Sequence, residues 1–266
     1  MMGNESTTFV NRCSLVVRAV DLWSGAPPSA SSIRVAIRGH NRAPMRTSDG
    51  SYAFLDYPYD RCTVTVTSPQ YLDYEREMAL GAGVPIITAG LMPSRFRSAP
   101  AAASGLRFRI VGEKTGKPVK DAEVYAYVDD DRAICGRIAE DQAVSGMPSI
   151  RITPAAIKLM PGDVFVVRGK SGAADWAKVS EFADYSGNGE DVALETPLKR
   201  TWSRGERLLI AAATRSDADG IVTVPFRGVL PSEFQTFVEI RLGGRKIEAS
   251  FTGSGGEVRQ FPDLKA

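Results

Sequence analysis

Thr47-Ser48-Asp49-Gly50-Ser51-Tyr52-Ala53-Phe54-Leu55-Asp56-Tyr57-Pro58-Tyr59-Asp60-Arg61-Cys62-Thr63-Val64-Thr65-Val66-Thr67-Ser68-Pro69-Gln70-Tyr71 is the stretch that decides the fold. It reads as turn, strand, turn, strand, turn. Asp49 can bond its own backbone and Gly50 can take a positive φ, so Ser48-Asp49-Gly50 makes a tight turn. Tyr52, Ala53, Phe54 and Leu55 follow as a strand, and Tyr57-Pro58-Tyr59-Asp60 turns the chain back. From Cys62 the pattern has period two, with Cys62, Val64 and Val66 on one face and three threonines on the other, as in a half-buried strand.

The same reading extends outward. Ile33, Val35 and Ile37 share a face, and residues 14–21, 78–80 and 85–91 complete roughly seven strands, the number a small sandwich needs. Residues 94–105, dominated by small residues and broken by Pro100, build no core and read as a linker. A second region starts at Leu106, where Leu106, Phe108 and Ile110 face away from Arg107 and Arg109. Residues 123–128 and 221–226 read as strands, and Val238, Ile240 and Leu242 lead through Gly243-Gly244 to a return strand with Ile247, Ala249 and Phe251. The tail from Gly253 is polar and reads as loose. The best helical candidate is only Pro154-Ala155-Ala156-Ile157-Lys158-Leu159. The chain is therefore expected to be all-β, with sandwiches over 10–93 and 106–252 joined by 94–105 and a flexible tail over 253–266.

Composition narrows the function. The 266 residues carry 33 Lys+Arg against 31 Asp+Glu, a net charge of +2, too small a field for a dedicated nucleic-acid binder. No apolar run approaches the roughly 20 residues that span a bilayer. Met1-Met2-Gly3-Asn4-Glu5-Ser6-Thr7-Thr8 has no basic start or apolar run, so no signal peptide is read and synthesis is expected in the cytoplasm. One histidine and three cysteines leave little room for a hydrolase triad, a zinc site or a disulfide framework.

The two regions repeat each other. Val20-Asp21-Leu22-Trp23-Ser24-Gly25-Ala26-Pro27 and Val111-Gly112-Glu113-Lys114-Thr115-Gly116-Lys117-Pro118 both read strand, Ser/Thr-Gly-x-Pro turn, strand. Thr47-Ser48-Asp49-Gly50 returns as Arg215-Ser216-Asp217-Ala218-Asp219-Gly220. This pattern resembles the carboxypeptidase-regulatory-like, or transthyretin-like, modules over about three quarters of the chain. In the second region the two motif halves stand much further apart, so about 134–204 reads as an insertion of extra β hairpins. The resemblance implies a β-sandwich and no particular role. Hydroxyisourate hydrolase, the enzyme of the transthyretin fold, needs several histidines and a Tyr-Arg-Gly-Ser end; this chain has His40 alone and ends Phe261-Pro262-Asp263-Leu264-Lys265-Ala266. Isopeptide-forming sandwiches carry a first-strand lysine where Arg18 and Arg109 stand here, and Lys114, Lys117 and Lys120 read as solvated turn charges.

Other candidates read as structural. Cys13 and Cys62 are taken as small buried hydrophobes, and Cys135 has no partner. Asp129-Asp130-Asp131 lacks the alternating spacing of a calcium loop, and Asp217 with Asp219 fits a hairpin turn. His40 has no nucleophile motif beside it. Tyr57 and Tyr71 close the core. What remains is a non-enzymatic adaptor of a large assembly, of the phage-tail or contractile-injection type, with no cofactor and no metal. Its partners would be other protein subunits, held through Trp23, Arg95, Phe96, Arg97, Trp176 and Trp202. Such a particle would be built inside the cell and act outside it. A glycan- or cell-surface-binding module with aromatic loop tips is the alternative. An enzyme using Asp163, Asp175, Glu181, Asp184, Glu190 and Asp191 in the insertion ranks last.

Overall fold

The structure, a computed structural model, describes residues 11–81, 83–154, 157–169, 172–186 and 189–266, with the side chains of 181–186 outside that description. Met1–Thr8, Ala155 and Ala156 lie outside it, as do the carboxylates of Glu181 and Asp184. Among the described residues there is no α-helix, and no helix long and apolar enough to cross a membrane.

The first half contains β1 (Cys13–Asp21), β2 (Arg34–Ile37), β3 (Met45–Arg46), β4 (Tyr52–Leu55), β5 (Arg61–Thr67), β6 (Tyr74–Ala79) and β7 (Ile86–Leu91). They form two sheets, β3-β4-β1-β7 and β2-β5-β6. β1 runs antiparallel to β4 and parallel to β7. The period-two residues meet as the sequence requires: Val35 opposes Val66 and Ile37 opposes Val64. These four join Leu15, Val17, Phe54 and Leu91 in one buried core.

The second half contains β8 (Ser104–Val111), β9 (Glu123–Val128), β10 (Ile134–Ile138), β11 (Gln142–Ala143), β12 (Ser149–Pro154), β13 (Val164–Arg168), β14 (Ala174–Ser186), β15 (Gly189–Leu194), β16 (Trp202–Ser203), β17 (Arg207–Arg215), β18 (Ile221–Phe226), β19 (Phe234–Leu242), β20 (Arg245–Gly253), β21 (Val258–Gln260) and β22 (Leu264–Lys265). β18-β8-β21, with β22 also on β8, repeats β4-β1-β7, including the parallel last pairing. β9-β19-β20 repeats β2-β5-β6. The turns repeat to the hydrogen bond. Gly25 N–H donates to Asp21 C=O (2.8 Å) and Asp21 N–H to Ala26 C=O (2.9 Å). Gly116 donates to Gly112 (2.8 Å) and Gly112 to Lys117 (2.9 Å) in the same way.

The inserted segment is more than hairpins. β10-β12-β15-β14-β13-β17 are paired in sequence, and β10 also pairs β17, so six antiparallel strands close into a barrel. β17 belongs to both structures. Residues 207–211 pair with β13 in the barrel wall, and residues 211–215 pair with β9 in the sandwich. One core runs through both, from Phe108, Val124 and Ile240 to Phe165, Val192 and Leu208.

Two expectations are corrected. Residues 94–105 do join the halves, but they are packed against both, and Ser104 and Gly105 already belong to β8. Ser94 donates to Pro69 C=O (2.7 Å), Arg97 holds Asp21 through two nitrogens (3.1 and 2.8 Å), and Arg95 pairs with Asp217 (3.6 Å) and Asp219 on the other half. The small-residue composition hid this because the partners are distant in sequence. Residues 253–266 are also tied down: Phe261 N–H donates to Arg107 C=O (2.8 Å), and its ring lies 4.5 Å from Phe251.

Candidate interaction surface

Strand alternation sends Val124, Ala126 and Val128 of β9 into the core and Tyr125 and Tyr127 outward. Ala211 and Ala213 of β17 lie directly beside these tyrosines in the sheet. Such small neighbours leave room for Trp176 of β14 to lean across two strands. Its ring meets Tyr125 at 5.4 Å and 64°, and Tyr127 at 5.8 Å and 72°. On the opposite side of β9, Phe237 of β19 stacks on Tyr127 at 5.4 Å and 18°. Arg241 covers Tyr125 at 4.2 Å, and Arg168 lies 5.8 Å from Tyr127 and 5.7 Å from Phe237.

The result is a groove of ≈ 520 Å³ where the barrel meets the sandwich. Trp176, Ala174 and Gly172 form one wall, Lys246, Glu248 and Ser250 the other, and Tyr127, Phe237 and Glu239 the floor. Its charges are internally fixed. Glu239 accepts from Arg241 (2.6 Å) and Lys246 (2.8 Å). Burial pushes its carboxyl up, but those two cations outweigh burial and hold it below the ordinary range. Burial raises both tyrosines; Glu123 adds to the rise at Tyr125, while Arg168 opposes it at Tyr127. The rings meet edge to face or pack side by side, so both flanks of each tyrosine are occupied. Ring edges and an Arg/Lys/Glu rim face solvent. A flat sugar needs an open ring face, whereas Tyr, Trp, Phe and Arg in such a cluster match protein-interface centres.

The sequence candidates fare differently. Trp176 is in this surface. Trp23 is buried at 3% exposure: its indole N–H donates to Ser104 C=O (3.2 Å) and it fills the junction between the halves. Trp202, 6% exposed, donates to Asp175 (3.4 Å). Arg95 and Arg97 are used inside the chain, and Phe96 stays exposed beneath Arg95. These five therefore do not form one surface with Trp176. Tyr125, Tyr127 and Phe237 were missed, although aromatics at the outward positions of an alternating strand are a signal.

The remaining groups have structural partners. Asp129, Asp130 and Asp131 each face their own arginine: Arg168, Arg132 and Arg207. Asp217 accepts from Asp219 N–H and Ile221 N–H (2.9 Å each), a turn. In the insertion, Asp163 pairs with Arg227, Asp175 accepts from Lys199 N–H (2.6 Å) and Arg200 N–H (3.0 Å), and Asp191 pairs with Arg151 (2.8 Å). Glu190 keeps a buried oxygen without a partner among the described residues. The three cysteines are free, and burial pushes the Cys62 and Cys135 thiols up, away from reactivity. No group of His, Cys, Asp and Glu among the described residues is arranged to hold a metal. At the tip of the first sandwich, His40, Tyr57 and Tyr59 stack edge to face in series, and Tyr59 is 67% exposed.

Comparison with known proteins adds a fold-level likeness. No family model and no curated protein matches the chain. A streptococcal ancillary pilin is similar at 11% identity and a TM-score of 0.22, over 94% of this chain and 62% of the pilin, so the chain spans less than two thirds of it. The shaft pilin SpaA of Lactobacillus rhamnosus GG, solved as a point mutant, is similar at 6% identity and a TM-score of 0.27, over 94% of this chain and 95% of the pilin. Neither is a phage-tail or injection-system part, and at these scores no residue or role transfers.

Proposed function

We propose that the chain is a non-catalytic structural subunit of a large protein assembly and docks neighbouring subunits through the groove of Tyr127, Trp176 and Phe237, with Tyr125 beside it. The cluster itself carries this reading: four aromatic rings and two arginines converge on an outer sheet face, where solvation alone would favour small polar residues. The division into modules over 10–93 and 106–252, both of the carboxypeptidase-regulatory-like kind, belongs to this proposal and is supported by their shared turns. The connector is tied to both modules, Arg97 to Asp21 and Arg95 to Asp217 and Asp219, which suits a spacer between subunits.

The test is fractionation of source cells that express the wild type or a Tyr127→Ala/Trp176→Ala variant. Wild type in a high-mass particle, and folded variant in the free pool, supports the proposal. What co-fractionates tells a cell-surface fibre from a phage-tail or contractile-injection particle. Free wild type sinks it. A glycan-binding reading has one observation of its own: exposed Tyr59 beside a hollow lined by Arg12, Asp56, Asp60 and Gly81. A glycan array with wild type and Tyr59→Ala tests it.

A further inference from the structure

β20 is the outermost strand of the nine-stranded sheet, and all nine of its residues pair with β19 on one side only. In an antiparallel pair, alternate residues turn their N–H and C=O toward the neighbour. Two observations fix which ones. Gln235 C=O accepts from Asp129 N–H on the β9 side (3.0 Å), so Thr236, Val238 and Ile240 point to β20. Their partners Phe251, Ala249 and Ile247 therefore point inward. The Arg259 guanidinium donates to Thr252 C=O (3.0 Å), so Thr252 points outward. Lys246, Glu248 and Ser250 share that outward phase. Arg259 caps one end of the edge, and the stretch 246–250 has no proline, no bulge and no backbone partner among the described residues.

We infer that this edge pairs with the same edge of a second copy of the chain, antiparallel about a twofold axis at Ile247. The inference does not depend on the groove reading. An antiparallel addition must set outward residues opposite outward residues, which leaves few registers. An axis at Glu248 puts that carboxylate against its own copy, a like-charge pair. An axis at Ala249 sets Lys246 against the Thr252 already capped by Arg259. Within its own chain Lys246 already reaches Glu239 and Glu248 (2.8 Å each). An axis at Ile247 extends that alternation across the seam: it places Lys246 opposite Glu248 of the second copy, twice by symmetry, and brings the two Ile247 side chains together at the close, non-hydrogen-bonded position. Ile247 is half-buried on the core, so this contact continues the existing apolar layer.

The test is sedimentation velocity of the full chain from low micromolar to near-millimolar concentration. Wild type is expected to show a reversible dimer. Glu248→Lys alone sets lysines against Lys246, and Lys246→Glu alone sets glutamates against Glu248. Each should weaken the dimer about tenfold or more. Mixed together, the two variants regain both opposite-charge pairs and should form a mixed dimer, which also shows that each is folded. Glu248→Pro removes one outward N–H at an edge position that tolerates proline and should abolish the dimer. Monomeric wild type across the range, or single variants that self-associate like wild type, overturns the inference.

Discussion

The two sandwiches share one plan, yet only the second has grown. In the first, β2 is an edge of four residues. In the second, the matching β9 pairs on its far side with β17, and through β17 a whole barrel is attached. The groove exists only where that barrel wall meets the sheet, so the shared plan supplies a frame and the insertion supplies the surface. The turn after the first strand differs as well. Its first residue is Asp21 in one half and Gly112 in the other, where a Cβ would lie 2.6 Å from Thr115 Oγ1. The carboxylate of Asp21, 1% exposed, takes Trp23 N–H (2.8 Å), Tyr71 O–H (3.1 Å) and Arg97. The same turn thus anchors the connector through a side-chain carboxylate in one half, and in the other holds the chain end by backbone alone, Glu113 N–H donating to Ala266 C=O (2.8 Å).

The largest effect follows from that asymmetry. Asp21→Ala leaves Arg97, Tyr71 and a backbone N–H without their acceptor and should cost about 3–5 kcal/mol in chemical denaturation. Equal stability would mean the two turns are equivalent after all. Trp23→Ala should cost a similar ~3–5 kcal/mol and also separate the melting of the halves in calorimetry.

Next come the paired turn glycines. Gly220 has φ +75°, and a Cβ there would lie 2.4 Å from Ile110 C=O, whereas Gly50 (φ +83°) has only a guanidinium nitrogen at 3.7 Å. Gly50→Ala should cost about 1–2 kcal/mol for the left-handed backbone alone, and Gly220→Ala clearly more. A reversed order breaks the turn comparison.

The pH response separates the halves more finely. Burial first, then Asp21, pushes the Tyr71 phenol up to about 12. An unfolded tyrosine ionises near 10. The folded state therefore retains the proton that the unfolded state releases. This contribution is complete below about pH 10 and is lost as pH rises toward 12. Tyr71→Phe should flatten that alkaline loss in a pH series of first-half stability. The smallest stability effect is expected in the groove: Trp176→Ala is half-exposed and should cost only ~1 kcal/mol while removing docking.

Much of this was legible from short signals. Asp49-Gly50, Gly25, Gly116 and the alternation at Cys62–Val66 gave both frames, because turn chemistry and period two are local. β17 was not legible. Leu208, Leu209 and Ile210 are all buried because the strand is walled on both faces by barrel, sandwich and aromatic lid. That produces a continuous apolar run without a period. Barrel closure through β10 and β17 is a long-range pairing with no local mark. The connector misled for a similar reason, since nothing near Arg97 announces a carboxylate at Asp21. Trp176 was visible as an aromatic in the insertion, but its meeting with Tyr125 and Tyr127 depends on Ala211 and Ala213, which only the sheet register brings between them.

The most direct measurement is the state of this chain in its own cells. Cell extract is sedimented with wild type and with Tyr127→Ala/Trp176→Ala, whose folding is first checked by its circular dichroism and melting curve. The account predicts wild type in a high-mass, salt-resistant fraction and the folded variant among free proteins. Wild type and variant travelling together, whether both free or both in the particle, would contradict the claim that this groove is the docking surface.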